Sequence, residues 1–194
     1  MNKQLDVLIL CGGEGRRMGG QDKGLIELDG LPLWQHVRAQ LPQSSYRKLW
    51  LSANRNLDAY RSSGHPVLTD QRGGFSGPLA GIEAGLLATD AEYLLVLPCD
   101  VPQLPAKLLP TLWQARGQAP VIRARHADGP QPLVCLVARQ TLPLLQHALD
   151  HGERRVQYWQ RQAGVAEIEF DAAFTNVNDA GALHGLSATP LASR

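Results

Sequence analysis

Short apolar runs alternate along the chain with stretches whose apolar residues recur at helical spacing. Val7-Leu8-Ile9-Leu10 reads as a buried strand, 34–41 as a helix, 49–51 as a strand and 57–62 as a helix. A short strand at 67–68, a helix at 79–87 and a strand at 93–97 follow. The second half continues with a helix over 105–115, opened by Pro105 in its first turn. Strands at 119–123 and 133–137, helices at 141–150 and 155–162, a strand at 165–170 and a last helix at 179–186 complete the pattern, and 187–194 frays. Strands that alternate with helices predict βαβ units. They imply an α/β fold of three layers, α/β/α, built on a mostly parallel sheet with helices on both faces. No internal repeat, low-complexity segment or linker interrupts it.

Composition narrows the picture. The 194 residues are 44% hydrophobic and 19% charged, ordinary for a globular protein with a sizeable core. A net charge of +1 supplies no basic field for nucleic acid and no membrane-directed patch. No apolar run approaches the ~18 residues of a membrane span, and the first run is too short for a signal peptide. A cytoplasmic protein is expected. The three cysteines form no C-x-x-C pair, which argues against a disulfide framework. Each lies in or beside an apolar strand and reads as a small buried thiol; Cys11 and Cys99 stand at strand ends. The histidines show no ligand spacing, and the tryptophans read as packing residues.

The first strand runs directly into Cys11-Gly12-Gly13-Glu14-Gly15-Arg16-Arg17-Met18-Gly19-Gly20, then Asp22-Lys23-Gly24. Glycines let backbone N–H groups approach an anion, and arginine and lysine add the charge a polyphosphate needs. The loop reads as a cradle for a nucleoside triphosphate; a glycine turn with solvated charges is the alternative. It is not a Walker A loop, because Lys23 follows Asp22 and precedes Gly24 rather than following glycine and preceding a hydroxyl. It is not a dinucleotide fingerprint either. Met18 stands where the third glycine belongs, and the second strand ends in Ser52-Ala53-Asn54 without a carboxylate.

Ligands of open α/β sheets bind beyond the carboxyl ends of the strands, which selects 10–23, 52–54, Asp70 and 99–100. Asp100 ends the apolar run 94–97 between prolines at 98 and 102. A lone carboxylate there suits Mg²⁺, which keeps waters and shares phosphate oxygens; a turn aspartate is the alternative. Nucleotidyl transfer builds negative charge on the phosphates, and Lys23 and Arg17 are placed to offset it, unless they are solvated surface charges. A second glycine loop, 73–81, opens the helix at 79–87.

The spelling L-x-G-G-x-G-x-R-M-G, D-K-G-L, L-x-G-x-P-L over residues 10–33 resembles the GT-A-like nucleotidyltransferases. The stretch 17–25 most resembles the molybdenum cofactor guanylyltransferases, the MobA family. L-x-x-x-C-D-x-P ending at Pro102, G-P-L-A-G at 77–81, Q-P-L at 131–133, G-x-R-R at 152–155 and N-x-N at 176–178 extend the resemblance over essentially the whole chain. It implies a Rossmann-like GT-A fold as one domain, with 1–100 holding nucleotide and 101–194 the acceptor. The implied reaction transfers GMP from Mg·GTP to the terminal phosphate of molybdenum-molybdopterin, releasing pyrophosphate. The resemblance gives Lys23, Arg17 and Asp100 catalytic roles, with Asp100 also holding the metal. Leu10, Cys11, Gly12, Gly13, Gly15, Lys23, Ser52, Asn54, Asp70 and Asp100 would bind the nucleotide. Gln131, Arg154, Arg155, Asn176 and Asn178 would bind the acceptor. Arg154 and Arg155 read equally as surface ion pairs, and Asn178 with Asp179 as a second metal site or a helix cap. Transient contacts with proteins that deliver and accept the cofactor are also implied. Two departures stand out: Ser52 replaces the family's common asparagine, leaving Asn54 to share base selection, and Cys11 replaces alanine. A cytidylyl- or uridylyltransferase acting on a sugar- or alcohol-phosphate shares these motifs. A non-catalytic NTP-binding chaperone would not require Lys23 and Asp100 together.

Overall fold

The computed structural model describes residues 4–12, 21–72, 77–172, 174 and 177. Its centre is a seven-stranded sheet. The strands are β1 (Leu5–Leu10), β4 (Leu49–Ser52), β5 (Val67–Leu68), β6 (Tyr93–Pro98), β7 (Val121–His126), β8 (Gly129–Ala138) and β9 (Val165–Glu169). Their order is β5-β4-β1-β6-β8-β7-β9. Among them only β8 runs against its neighbours; the β5–β4, β4–β1, β1–β6 and β7–β9 pairs are parallel. The mostly parallel α/β reading therefore holds.

The period of two along β1 and β6 divides the interior into two cores. Val7, Ile9, Leu95 and Leu97 face a core closed by α1 (Leu33–Ala39), α2 (Leu57–Arg61) and α4 (Leu108–Gln114). Leu8, Leu94 and Val96 face the other, under α3 (Pro78–Ala88), α5 (Leu142–Asp150) and α6 (Val156–Ala163). Apart from Glu83, helix α3 carries only apolar and small residues, as a helix packed deep in a fold should. It lies close on the sheet because Gly85 has no side chain: a Cβ there would come within 2.8 Å of Leu8 and Leu94 methyls.

The first strand carries one charge into the core. Asp6 is fully buried, and its carboxylate accepts from Thr89 Oγ1 at 2.6 Å and the Lys48 amide at 3.1 Å, with Arg47 Nε at 3.6 Å. Asp6→Ala leaves these donors without an acceptor and lowers stability by about 3 kcal/mol. The measurement is a lower urea midpoint at unchanged slope.

Several boundaries differ from the sequence pattern. The helix expected over 105–115 begins at Leu108; Pro105 stays outside and accepts from the Leu108 amide at 2.8 Å. Pro110 occupies the first turn, where no N–H is needed. The strand expected at 119–123 starts after Pro120 and runs to His126, and its antiparallel partner extends back to Gly129, with a bulge between Arg123 and Ala124. A hairpin absent from the pattern, β2 (Glu27–Leu28) and β3 (Leu31–Pro32), turns on Asp29-Gly30, both with positive φ (51° and 79°). That is the Asp-Gly signature of a two-residue hairpin. The helix at 179–186 and the tail at 187–194 lie outside the described residues. Among the described residues no helix is long and apolar enough to cross a membrane.

Candidate active site

A cavity of about 390 Å³ opens beyond the carboxyl ends of β1, β4 and β6. The strand ends supply its walls. β1 delivers Leu10, Cys11 and Gly12; β4 delivers Ser52 and then Asn54; β6 delivers Pro98, Cys99 and Asp100. Asp70 follows β5, and Lys23 stands in a short 3-10 turn, Lys23–Leu25. Pro78 and Gly81 of α3 and Leu133 of β8 close the other side. Hydrogen bonding continues past the strand ends, from the Cys11 amide to Ser52 O (2.8 Å), Ala53 to Leu68 O (3.0 Å) and Cys99 to Leu10 O (3.1 Å). The rim is thus an extension of the ladder rather than a loose loop.

Two polar pairs line this space. On one wall Lys23 Nζ donates to Asp100 Oδ2 at 3.0 Å, the side chains 30% and 21% exposed. On the other, Asn54 Nδ2 donates to Asp70 Oδ2 at 2.8 Å, and the Asp70 amide donates back to Asn54 Oδ1 at 2.9 Å. Burial pushes the Asp70 carboxyl above the usual aspartate range; the Asn54 hydrogen bond offsets part of this, and the charge of Glu83 adds to it. Ser52 is buried, with its hydroxyl against α3. A Cβ on Gly81 would come within 2.6 Å of Ser52 Oγ.

The lysine is aimed by a network the sequence pattern did not assign. Asp22 caps the 3-10 turn, accepting from the Gly24 amide at 3.2 Å. Its carboxylate also accepts from Tyr60 Oη at 2.6 Å and Asn56 Nδ2 at 3.1 Å, with Arg55 Nε at 3.8 Å. Burial, with the Cys11 thiol and the Asp22 carboxylate nearby, pushes the Tyr60 hydroxyl far up, so it remains a donor. An aspartate just ahead of a short turn is N-cap chemistry, and that signal was available in Asp22-Lys23-Gly24. Gly24 is required here, because a Cβ would collide with the Tyr60 hydroxyl. Gly24→Ala therefore displaces Tyr60 from Asp22 and moves Lys23. The expected cost is about 100-fold in kcat/KM together with a lower Tm from the lost Tyr60–Asp22 bond, read by steady-state kinetics and thermal melting.

Arg72 fastens the segment after Asp70 to α3. It meets Glu83 with two bonds, Nε and Nη2 each at 2.7 Å, and reaches Asp150 of α5 at 2.6 Å.

Of the residues assigned to the acceptor, the three that are described, Gln131, Arg154 and Arg155, lie elsewhere. Gln131 sits at the bulge of β8, opposite Ala124. Arg154 Nη1 donates to the carbonyls of Leu149 (3.0 Å) and Glu153 (2.8 Å). Arg155 pairs with Glu153 at 2.7 Å and lies over the Tyr158 ring. Its guanidinium and the amides of 154 and 155 hold the Glu153 carboxyl down at about 2. None of the three lines the cavity. Gly13, Gly15, Arg17, Asn176, Asn178 and Asp179 are outside the described residues. Leu133, Pro78 and Pro98 also line the cavity; they fell inside named motifs but were given no site role, since apolar residues carry no chemical signature in a sequence.

The family model for the MobA-like NTP transferase domain matches residues 7–165. The chain belongs to the MobA-like NTP transferase family. It is an enzyme of the nucleotidyltransferase class. Relatives include a molybdenum cofactor guanylyltransferase of Serratia proteamaculans, 41% identical over 92% of this chain and 91% of the relative. Another, from Shewanella frigidimarina, is also 41% identical, over 92% and 93%. In fold, the chain is similar to the crystal structure of a molybdopterin-guanine dinucleotide biosynthesis protein A from Archaeoglobus fulgidus. That match has a TM-score of 0.76 at 23% identity and covers 94% of this chain and 96% of that one. MobA-like enzymes use a divalent metal, and Asp100 fits one. No cluster of three His, Cys, Asp or Glu that could hold a metal occurs among the described residues. A single partly exposed carboxylate at a strand end in the cavity is nevertheless a donor set that suits an ion taking its other ligands from water and phosphate.

Proposed function

We propose that this protein transfers GMP from Mg·GTP to the terminal phosphate of molybdenum-molybdopterin, yielding the guanine dinucleotide cofactor and pyrophosphate, in the cytoplasm. The observation that carries the reading is the pair of polar walls, Lys23–Asp100 for the phosphates and Asn54–Asp70 for the nucleoside, in one cavity. Guanine offers N–H donors at its edge, and a carboxylate is acceptor only. Ser52 turns its hydroxyl onto α3, which leaves Asn54 and Asp70 as the polar selectors on that wall.

The acceptor phosphate is already an anion, so no protein nucleophile is required. It attacks the α-phosphate in line, and pyrophosphate leaves. The Gly12 backbone lets the phosphates approach the end of β1. Lys23 offsets the charge that builds on the transferred and departing groups, and the Asp22 network holds it in place. A metal on Asp100 would supply further charge neutralisation. Gln131, Arg154 and Arg155, with Asn176 and Asn178, are assigned to the acceptor, and the arginines suit a terminal phosphate. Arg155 must then exchange Glu153 for that phosphate. Short-lived contacts with cofactor-delivering and cofactor-accepting proteins belong to the same reading.

Calorimetric titration of GTP, CTP, UTP and ATP, with and without Mg²⁺, tests it. Selective, metal-enhanced GTP binding is expected. A preference for CTP or UTP moves the substrate to a sugar- or alcohol-phosphate, and tight binding without turnover leaves a carrier rather than an enzyme. A pH series adds a second check. The ionised Asp70 is the acceptor, and burial makes it take up its proton at higher pH than a free aspartate. GTP affinity therefore falls as pH drops through that raised range. Asp70→Asn binds about 10- to 100-fold more weakly at neutral pH and loses the dependence.

A further inference from the structure

The transfer uses no thiol, yet two cysteines line its cavity. β1 and β6 are parallel with Leu10 opposite Pro98, so the next residues, Cys11 and Cys99, come side by side. Both project into the core that holds Ile9 and Leu97. The Cys11 thiol donates to the Ile9 carbonyl at 3.7 Å. They are 2% and 5% exposed, and both line the cavity. Cys135 pairs with Val96 on β8 and faces the opposite core, away from both.

We propose that Cys11 and Cys99 form a dithiol site that a small peroxide converts to a disulfide, and that this disulfide and bound nucleotide exclude each other. The second half rests on the nucleotide pocket proposed above. Neighbouring strands lie about 4.8 Å apart, inside the Cα separation of about 4.4–6.8 Å that a disulfide spans. One sulfur attacks peroxide oxygen; the O–O bond breaks, and water and a sulfenic acid result. The second thiol attacks the sulfenic sulfur, and its proton leaves with the displaced hydroxide as a second water. Two electrons pass to the peroxide. Bonding draws the sulfurs to about 2.05 Å. Gly12 and Asp100 follow the two cysteines directly, so the phosphate seat and the metal carboxylate shift together. A nucleotide in the cavity covers the Cys11 and Cys99 segments and blocks the peroxide's way to the thiols beneath them.

The test treats the reduced full-length protein with one equivalent of hydrogen peroxide, with and without Mg·GTP. Without nucleotide, two of the three free thiols should disappear. The mass should fall by two hydrogens, and peptide mapping should join Cys11 to Cys99. GTP affinity should drop about 100-fold and return with dithiothreitol, and Mg·GTP should slow the oxidation. Cys99→Ala, compared only with itself before and after peroxide, should show neither the bridge nor a peroxide-dependent loss of binding. Three surviving thiols, a bridge to Cys135, or a Cys11–Cys99 bridge that leaves GTP binding unchanged overturns the proposal. If the reduced protein binds no nucleotide, the pocket reading fails, and the mapped bridge alone decides the dithiol.

Discussion

Asp100→Asn lowers turnover by about 1,000-fold or more and leaves the fold standing. Asparagine keeps the shape but not the charge, so it holds a divalent metal poorly. The fold survives because the Lys23–Asp100 pair is partly solvated, and such pairs contribute about 1 kcal/mol at most. A second effect has the opposite sign. Without metal, the carboxylate repels the triphosphate and occupies Lys23, so the asparagine variant binds metal-free GTP more tightly than the parent. Pyrophosphate release and calorimetry with and without Mg²⁺ read both effects. Turnover within tenfold of the parent would remove Asp100 from the mechanism.

Lys23→Met costs about 100- to 1,000-fold in kcat/KM, and it separates from Asp100→Asn in metal-free binding, which it weakens. Arginine should not rescue it. The 3-10 turn is fixed by Asp22, Tyr60 and Asn56, so the side chain starts from one place, and the broader, longer guanidinium cannot occupy the ammonium's position against Asp100. Recovery by arginine to within tenfold would mean that charge near the phosphates suffices and the turn does not aim it.

Much of the architecture was legible because a buried parallel strand is a bare apolar run. β1 and β6 announce themselves this way, and every described residue assigned to the nucleotide lines the cavity, from Leu10 to Asp100. Strand-end placement is a property of order along the chain, so a sequence exposes it. Side-chain partnership is not. Asp22 reads as part of a motif, but its bonds to Tyr60 and Asn56 join separate segments, and only folding brings them together. Arg154 and Arg155 show the converse. Their spacing suits a phosphate, while locally Glu153 already serves Arg155 as its anion and the Arg154 guanidinium is taken up by the Leu149 and Glu153 carbonyls. The start of α4 was misplaced because Pro105 and Pro110 both suit a first turn, and their relative merit depends on packing of Leu108 and Leu112.

The strand order also bears on synthesis. β6 pairs with β1 on one side and β8 on the other, and β8 emerges from the ribosome only after β7. At about 5–20 residues per second, several seconds pass in which β6 is complete but its far edge has no partner. That edge is a run of buried leucines and valine, the kind of surface that recruits another chain. A nascent chain paused after α3 and β6 is therefore at its most adhesive, and a chaperone that shields this one edge until β8 arrives would decide how much of the protein reaches its native state.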